Sequence, residues 1–394
     1  MRTLNIQLQS LAIFRNLLQD PVIASLGNYL AQTETADAVS AYGNFVAELY
    51  RTDKRTLAGY IQSVMCQDEN SYIRMIGGGE KPWPEMEKDI WAELKILQAV
   101  ADLTPETLRQ GLDWQGYLPS FGVKSVNLEQ IYRERCRDIS KFGYGIYAKY
   151  HMFYVNQDNK IVPVRNPDRT RLASLVDYER EKKIILDNTM ALLEGRPAAN
   201  ILLTGDAGTG KSSTVKAVVN ELWDSGLRIL EVRKEQLREM PWVLDELSGN
   251  PLKFILFIDD LSFQKDDDNF SALKAILEGS VSAKSRNVVI YATSNRRHLV
   301  KETFSDRDGD DIHRNDTMQE IISLSERFGI QITFQKPNKQ TYLGIVHHLA
   351  KEHGLEYDPV KLELEAERFV LQRGSRSARA AAQFIDSLMA SKKD

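Results

Sequence analysis

Cysteine is nearly missing from this chain: Cys66 and Cys136 are the only two in 394 residues, and they lie far apart. That excludes a disulfide scaffold and a cysteine-based zinc site, and it fits a reducing compartment. Histidine is scarce as well. Of the six, His347, His348 and His353 fall close together, but no two of these stand one helical turn apart, so a zinc pair is not expected. Long apolar runs are lacking too, and nothing approaches the roughly 20 uninterrupted residues that a membrane helix needs. The opening MRTLNIQLQS interleaves polar with apolar residues and lacks the apolar core of a secretory signal, so a cytoplasmic protein without membrane contact is expected. Neither sign of charge prevails. The net charge is −4, and residues 1–160 hold 17 basic and 19 acidic side chains, which gives no basic arm in bulk. Nucleic acid is therefore not indicated, although a local basic patch would escape such totals.

What is present is an ordinary globular composition, 42% hydrophobic and 27% charged, in a chain long enough for two or three domains. Apolar residues recur at helical spacing in LQSLAIFRNLLQD and EKDIWAELKILQAVADL, so residues 1–143 read as a mainly helical domain. Within it Thr104 and Pro105 mark a helix start, and a further helix is expected from Asn127 to Lys141. Residues 144–171 read as a β-hairpin around Asn156–Asn159 followed by a linker. The aromatic run Phe142–Tyr154 has few basic neighbours and reads as core rather than as a platform for bases. From 172 the rhythm alternates between apolar strands (NILLTG, LRILEVR, KFILFIDD, NVVIYATSN, IQITFQ) and helices. This predicts a parallel five-stranded sheet covered on both faces, an α/β domain over 172–336. Only helical patterns follow, a small lid over 337–394.

Gly205-Asp206-Ala207-Gly208-Thr209-Gly210-Lys211-Ser212 fits the phosphate-loop pattern G-x-x-x-x-G-K-[ST], and Ser213 continues into the next helix. It follows an apolar strand and opens a helix, as the chemistry requires. Glycines let backbone N–H groups turn inward around phosphates, and the helix N-terminus adds partial positive charge. Lys211 is expected on the β- and γ-phosphates of ATP and Ser212 on Mg2+. Asp259 and Asp260 end the buried strand FILFI, where ligands bind in open α/β sheets. Asp259 is expected to anchor the magnesium ion and Asp260 to activate the attacking water. Asn295 ends another buried strand, placed to contact that water or the γ-phosphate, a role Thr293 or Ser294 could share. Arg327 precedes the last strand, where it can reach a neighbouring subunit's nucleotide. Arg376 and Arg379 open a lid helix, and one of them is expected on phosphate.

The order of phosphate loop, Asp-Asp strand, Asn strand, Arg327 and the GSRSAR lid resembles the AAA+ superfamily. The segments LVDYEREKKIILDNTMALLEGRPAANILLTGDAGTGKSSTVKAVVNEL, LKFILFIDDLSF, NVVIYATSNRRHLVKETFSDRDG and ISLSERFGI are similar to a bacterial family of AAA+ ATP-binding proteins built on a domain of unknown function. The likeness runs from about Leu172 to Met389 and reaches back in part to the hairpin. It implies ATP binding and a homo-oligomer with an arginine finger acting in trans, and it implies no established substrate. Two departures from better-known AAA+ proteins stand out. Asp260 occupies a position where most carry glutamate, one methylene longer. No aromatic-Gly substrate loop follows the second strand: Trp242 is the lone aromatic there and reads as packing beneath the sheet. DRDGDD, at 306–311, lacks the glycine and glutamate spacing of a calcium loop.

Three readings follow. The first is an ATPase that remodels or loads a macromolecular partner chosen by the N-terminal domain. The second is a slow ATP-gated switch or binding module, favoured by the short acid. The third and weakest is a small-molecule kinase, against which the lid and Arg327 argue.

Overall fold

The computed structural model describes residues 2–110, 112–262, 268–278, 286–295, 326–374 and 376–391. The chain divides into two compact units, Met1–Lys149 and Tyr150–Asp394. Among the described residues no helix is long and apolar enough to cross a membrane.

The first unit is built of helices: α1 (Arg2–Gln9), α2 (Pro21–Ala31), α3 (Thr35–Tyr50), α4 (Leu57–Gln67), α5 (Ser71–Gly77), α6 (Pro84–Ala101), α7 (Pro105–Arg109), α8 (Leu128–Arg137), α9 (Ile139–Phe142) and α10 (Ile146–Lys149). Their starts follow local chemistry. Asp20, Thr56, Asn70 and Asn127 each accept a first-turn N–H, and Thr104 forms a reciprocal capping box with Thr107 ahead of Pro105. One core joins Phe14, Tyr42, Phe45, Ile61, Leu94 and Tyr132. Inside it, the buried Glu93 carboxylate accepts the backbone N–H groups of Ala12 (2.7 Å), Ile13 (3.1 Å) and Phe14 (2.9 Å), closing the turn after α1. The helix expected from Asn127 to Lys141 is broken at Asp138 into α8 and α9, and α10 occupies part of the run read as the first hairpin strand.

The second unit opens with that hairpin, β1 (Met152–Val155) and β2 (Ile161–Pro163), then α11 (Glu179–Leu193). Next come β3 (Ile201–Gly205), α12 (Lys211–Leu222), β4 (Leu227–Glu231), α13 (Met240–Ser248), β5 (Lys253–Ile258), α14 (Asp268–Glu278), β6 (Val288–Ser294) and β7 (Ile330–Phe334). The sheet has seven strands in the order β2-β1-β4-β5-β6-β3-β7. The expectation of five is thus corrected. β1 pairs parallel to β4, through Met152 and Ile229, and so carries the hairpin onto the sheet edge as two further strands. The reason is that β4, paired with β5 on one side, would otherwise be an open edge, and β1 supplies the missing hydrogen bonds.

The other contacts between neighbouring strands are parallel; β3, β5 and β6 are mostly buried on both faces, whereas β7 leaves Gln331 and Thr333 exposed. On one face Ile201, Leu203, Ile255, Phe257, Val289 and Tyr291 meet Ile185 of α11 and Val215, Val218 and Val219 of α12. Side chains at i and i+2 share a side, so the continuous apolar strands serve both layers. The lid comprises α15 (Lys339–Glu352), α16 (Pro359–Arg373) and α17 (Ala378–Ser391), closed around Tyr342, Val346, Ala366 and Phe384. Trp242 is 41% exposed rather than packed beneath the sheet, because Met240 and Val243 take the inward positions of α13. The DRDGDD run, like RRHL and FSDRDG, lies outside the described residues.

Candidate nucleotide site

The P-loop turns where β3 ends and α12 begins. Three of its glycines hold positive φ: Gly205 (134°), Gly208 (79°) and Gly210 (95°). At Gly205 a Cβ would lie 2.1 Å from the Phe334 carbonyl oxygen of β7, so no other residue fits. At Gly208 it would stand 3.1 Å from Ser377 Oγ and from Arg379 Cβ of the lid, which therefore closes directly on the loop. Beside Gly210 the space is open to 4 Å. Gly210 precedes α12 without a side-chain cap, leaving the helix N–H groups to an anion. Thr209 is buried and its hydroxyl donates to the Asp206 carbonyl at 2.9 Å, which fixes the loop's curl.

Lys211 is buried at the centre. Its Nζ donates to the carbonyls of Gly205 (2.8 Å) and Asp206 (2.9 Å) and to Asn295 Oδ1 (3.0 Å). Burial lowers its pKa, and the carboxylates of Asp259, Asp206 and Asp260 oppose that shift. Ser212 Oγ donates to Asp259 Oδ1 at 2.6 Å. A hydroxyl and a carboxylate set side by side are oxygen donors of the kind magnesium prefers, with its other positions left for water and phosphate. The residues present therefore fit the ion.

The sheet order explains how the acids reach this place. β6 lies between β3 and β5, so its C-terminal end separates the P-loop from the Asp-Asp pair. Asn295 spans the gap: its Oδ1 accepts from Lys211, and its Nδ2 donates to Asp260 Oδ1 at 2.7 Å. Thr293 has a role that its sequence reading did not give it. Its Oγ1 donates to Asp259 Oδ1 (2.6 Å) and accepts the Asp260 N–H (2.9 Å), while its carbonyl accepts the Leu261 N–H (2.7 Å). One buried threonine thus orients the Asp259 carboxylate and holds the Asp260 backbone. The signal was the register, Ile258 against Ala292, which sets Thr293 beside Asp259 and which a single strand's pattern does not carry. Asp260 itself sits at φ 54°, the left-handed region, where aspartate is tolerated better than longer side chains. The short acid matches the backbone it must occupy.

The two lid arginines part company. Arg376 forms a two-point pair with Glu367 of α16, Nη2 to Oε2 at 2.9 Å and Nε to Oε1 at 3.2 Å, and this holds the Glu367 carboxyl below its usual range. Arg379 lies at the P-loop: its backbone N–H donates to the Gly208 carbonyl at 3.3 Å, and its charge lowers the pKa of Lys211 further. Arg327 is not part of this cluster. Ile330 pairs with Ile201 and Phe334 with Gly205, so Arg327 stands beyond the far end of β7, with about 13 Å of strand between Ile330 and the loop.

Residues 148–392 match the family described as "Protein of unknown function (DUF815)". The chain belongs to that family. In this DUF815 member the P-loop strand β3 lies between β6, which Asn295 follows, and the last strand β7. No protein of curated function matches the chain. Among solved structures it is similar to the Thermotoga maritima RuvB Holliday junction branch migration motor, at 14% identity over 56% of this chain and 72% of that one, with a TM-score of 0.34. Two single-residue variants of that protein match over the same shares, at 13% and 14% identity with TM-scores of 0.34 and 0.35.

Proposed function

We propose that this protein is an AAA+ ATPase that binds ATP with magnesium, hydrolyses it in an assembly of its own copies, and couples the cycle to a macromolecular partner chosen by the helical unit. The observation that carries the reading is the Asn295 bridge, which joins the P-loop lysine to the second acid in one hydrogen-bonded network. In this reading the P-loop N–H groups, Lys211 and Arg379 hold the phosphates. Ser212 and Asp259 would hold magnesium, which when bound neutralises charge on the β- and γ-oxygens. Asp260 accepts the proton of the attacking water, Asn295 orients that water, and Thr293 keeps the Asp259 carboxylate aimed and the Asp260 backbone in place. Arg327, at the opposite end of the sheet from its own P-loop, serves the nucleotide of a neighbouring copy. Two free thiols agree with a cytoplasmic protein.

A second reading is a slow ATP-gated switch. Its support is the short acid at positive φ, with one carboxylate oxygen already engaged by Asn295. Phosphate release measured over a range of protein concentrations decides between them. Turnover that rises as the protein assembles supports the ATPase, and binding without turnover at every concentration and with every added partner sinks it.

A further inference from the structure

At the N-terminal ends of the strands, opposite the P-loop, a cavity of about 650 Å3 opens between α13, α14 and the loop before β3. Leu244 and Ile276 form its apolar wall, Asn200 and Gly329 its floor, and Arg196, Arg286 and Arg327 its charged side. Among the described residues no aspartate or glutamate lines it. Arg196 is neutralised from outside by Glu194, whose Oε2 accepts its Nε at 2.6 Å. Arg286 is exposed and has no hydrogen bond or ion pair among the described residues. The backbone just after it is nonetheless held. The next residue, Asn287, is buried, and its Nδ2 donates to the carbonyls of Leu247 (2.8 Å), Asn250 (3.0 Å) and Leu252 (3.3 Å), while its own carbonyl accepts the Phe254 N–H at 2.8 Å. Asn200 pins the floor by accepting the Ile290 N–H at 2.8 Å. A guanidinium followed by so firmly held a residue, in a cavity lined by two further arginines and, among the described residues, by no carboxylate, is placed to meet an anion.

We infer that Arg286 is a second arginine that acts in trans, presented with Arg327 to the triphosphate of a nucleotide held in the P-loop of a neighbouring copy. The inference rests on the trans reading of Arg327 given above. The charges are complementary, and neither arginine reaches its own P-loop, because the length of the sheet intervenes. Two guanidiniums stabilise charge that develops on the transferring phosphoryl group from two sides, where one would serve a single oxygen pair.

Mixed assemblies test this. Arg286→Ala should bind nucleotide as the unaltered protein does, which also reports that it folds. At assembling concentrations its turnover should fall about tenfold to a hundredfold, and Arg286→Lys should recover part of the loss. Adding an excess of Asp260→Asn subunits, inactive themselves but with both arginines intact, should restore turnover to Arg286→Ala and to Arg327→Ala alike. If Arg327→Ala is rescued and Arg286→Ala is not, Arg286 acts within its own subunit and the inference is overturned while the ATPase reading stands. If neither is rescued, the trans site itself is wrong and both fall. Unchanged turnover in Arg286→Ala, or an equal loss at every protein concentration, also overturns the inference.

Discussion

Both units hold carboxylates by hydrogen bonds, one buried and two exposed, and they satisfy them differently. In the helical unit Glu93 is consumed by backbone, with the N–H groups of Ala12, Ile13 and Phe14 on its two oxygens. In the α/β unit Asp259 and Asp260 are held by side chains, Ser212 and Thr293 on one and Asn295 on the other. A carboxylate that closes a turn can be released only by opening the turn. One held by a hydroxyl or an amide can exchange that partner for a ligand at little cost to the fold. Hydrogen-bond partners and burial together separate architecture from machinery here.

That contrast can be broken by substitution. The largest effect is expected at Lys211: Lys211→Ala removes a charge-assisted contact worth about 3 kcal/mol, so nucleotide affinity measured by calorimetry should fall about a hundredfold or more with stability little changed. Asp260→Asn should keep affinity and lower phosphate release by a factor of about 10²–10⁴. Asp260→Glu should not accelerate turnover, because the left-handed backbone at this position disfavours the longer side chain at a cost of about 1 kcal/mol. If Asp260→Glu speeds hydrolysis, the link between backbone and acid is wrong.

Glu93→Ala is the counterpart in the other unit. It strands the N–H groups of Ala12, Ile13 and Phe14, the last two buried, and should destabilise that unit by about 3 kcal/mol in denaturant unfolding, with nucleotide affinity unchanged. A loss of affinity would contradict the division of roles. In the lid, Arg379→Ala should weaken nucleotide binding about tenfold. Arg376→Ala should leave affinity alone and loosen the lid, seen as faster amide exchange in α15 to α17. The smallest effect is expected at His151. Its ring bonds Asn220 (3.1 Å) and stacks on Trp223 (5.3 Å), and burial lowers its pKa from 6.5, with Arg228 and Arg171 adding to the shift and Asn220 and Asp224 opposing it. The fold thus favours the neutral ring. Stability present above pH 6.5 is lost as pH falls from there toward the lower folded value, because the unfolded chain takes the proton first. His151→Gln should flatten that slope in melting curves.

Strands β3, β5 and β6 were legible because each is a largely apolar run ending in a turn or in polar residues, and the P-loop because its chemistry is local. β1 and β2 were legible as a hairpin but not as sheet strands, since pairing with β4 is a long-range event that leaves no mark in Met152–Val155 itself. Asp259 and Asn295 could be read as ends of buried strands, yet the Thr293 clamp depends on register between two of them. Arg376 and Arg379 could not be told apart from GSRSAR, because the choice was made by Glu367 on another helix. In the first unit periodicity gave helices without purpose, and the Glu93 turn is a contact across some eighty positions (|i−j| 79–81) that no spacing rule anticipates.

Strand β7 has one more property. Its last carbonyl, at Phe334, sits where a Cβ on residue 205 would be, and its first residues continue from Arg327. A strand hydrogen-bonded along its whole length to β3 does not stretch, and at its far end there is no slack against the P-loop. A displacement of the Arg327 end would be passed along the strand toward the phosphate loop. Within one chain, the strand is a pushrod between the contact a subunit would offer outward and the one it keeps for itself.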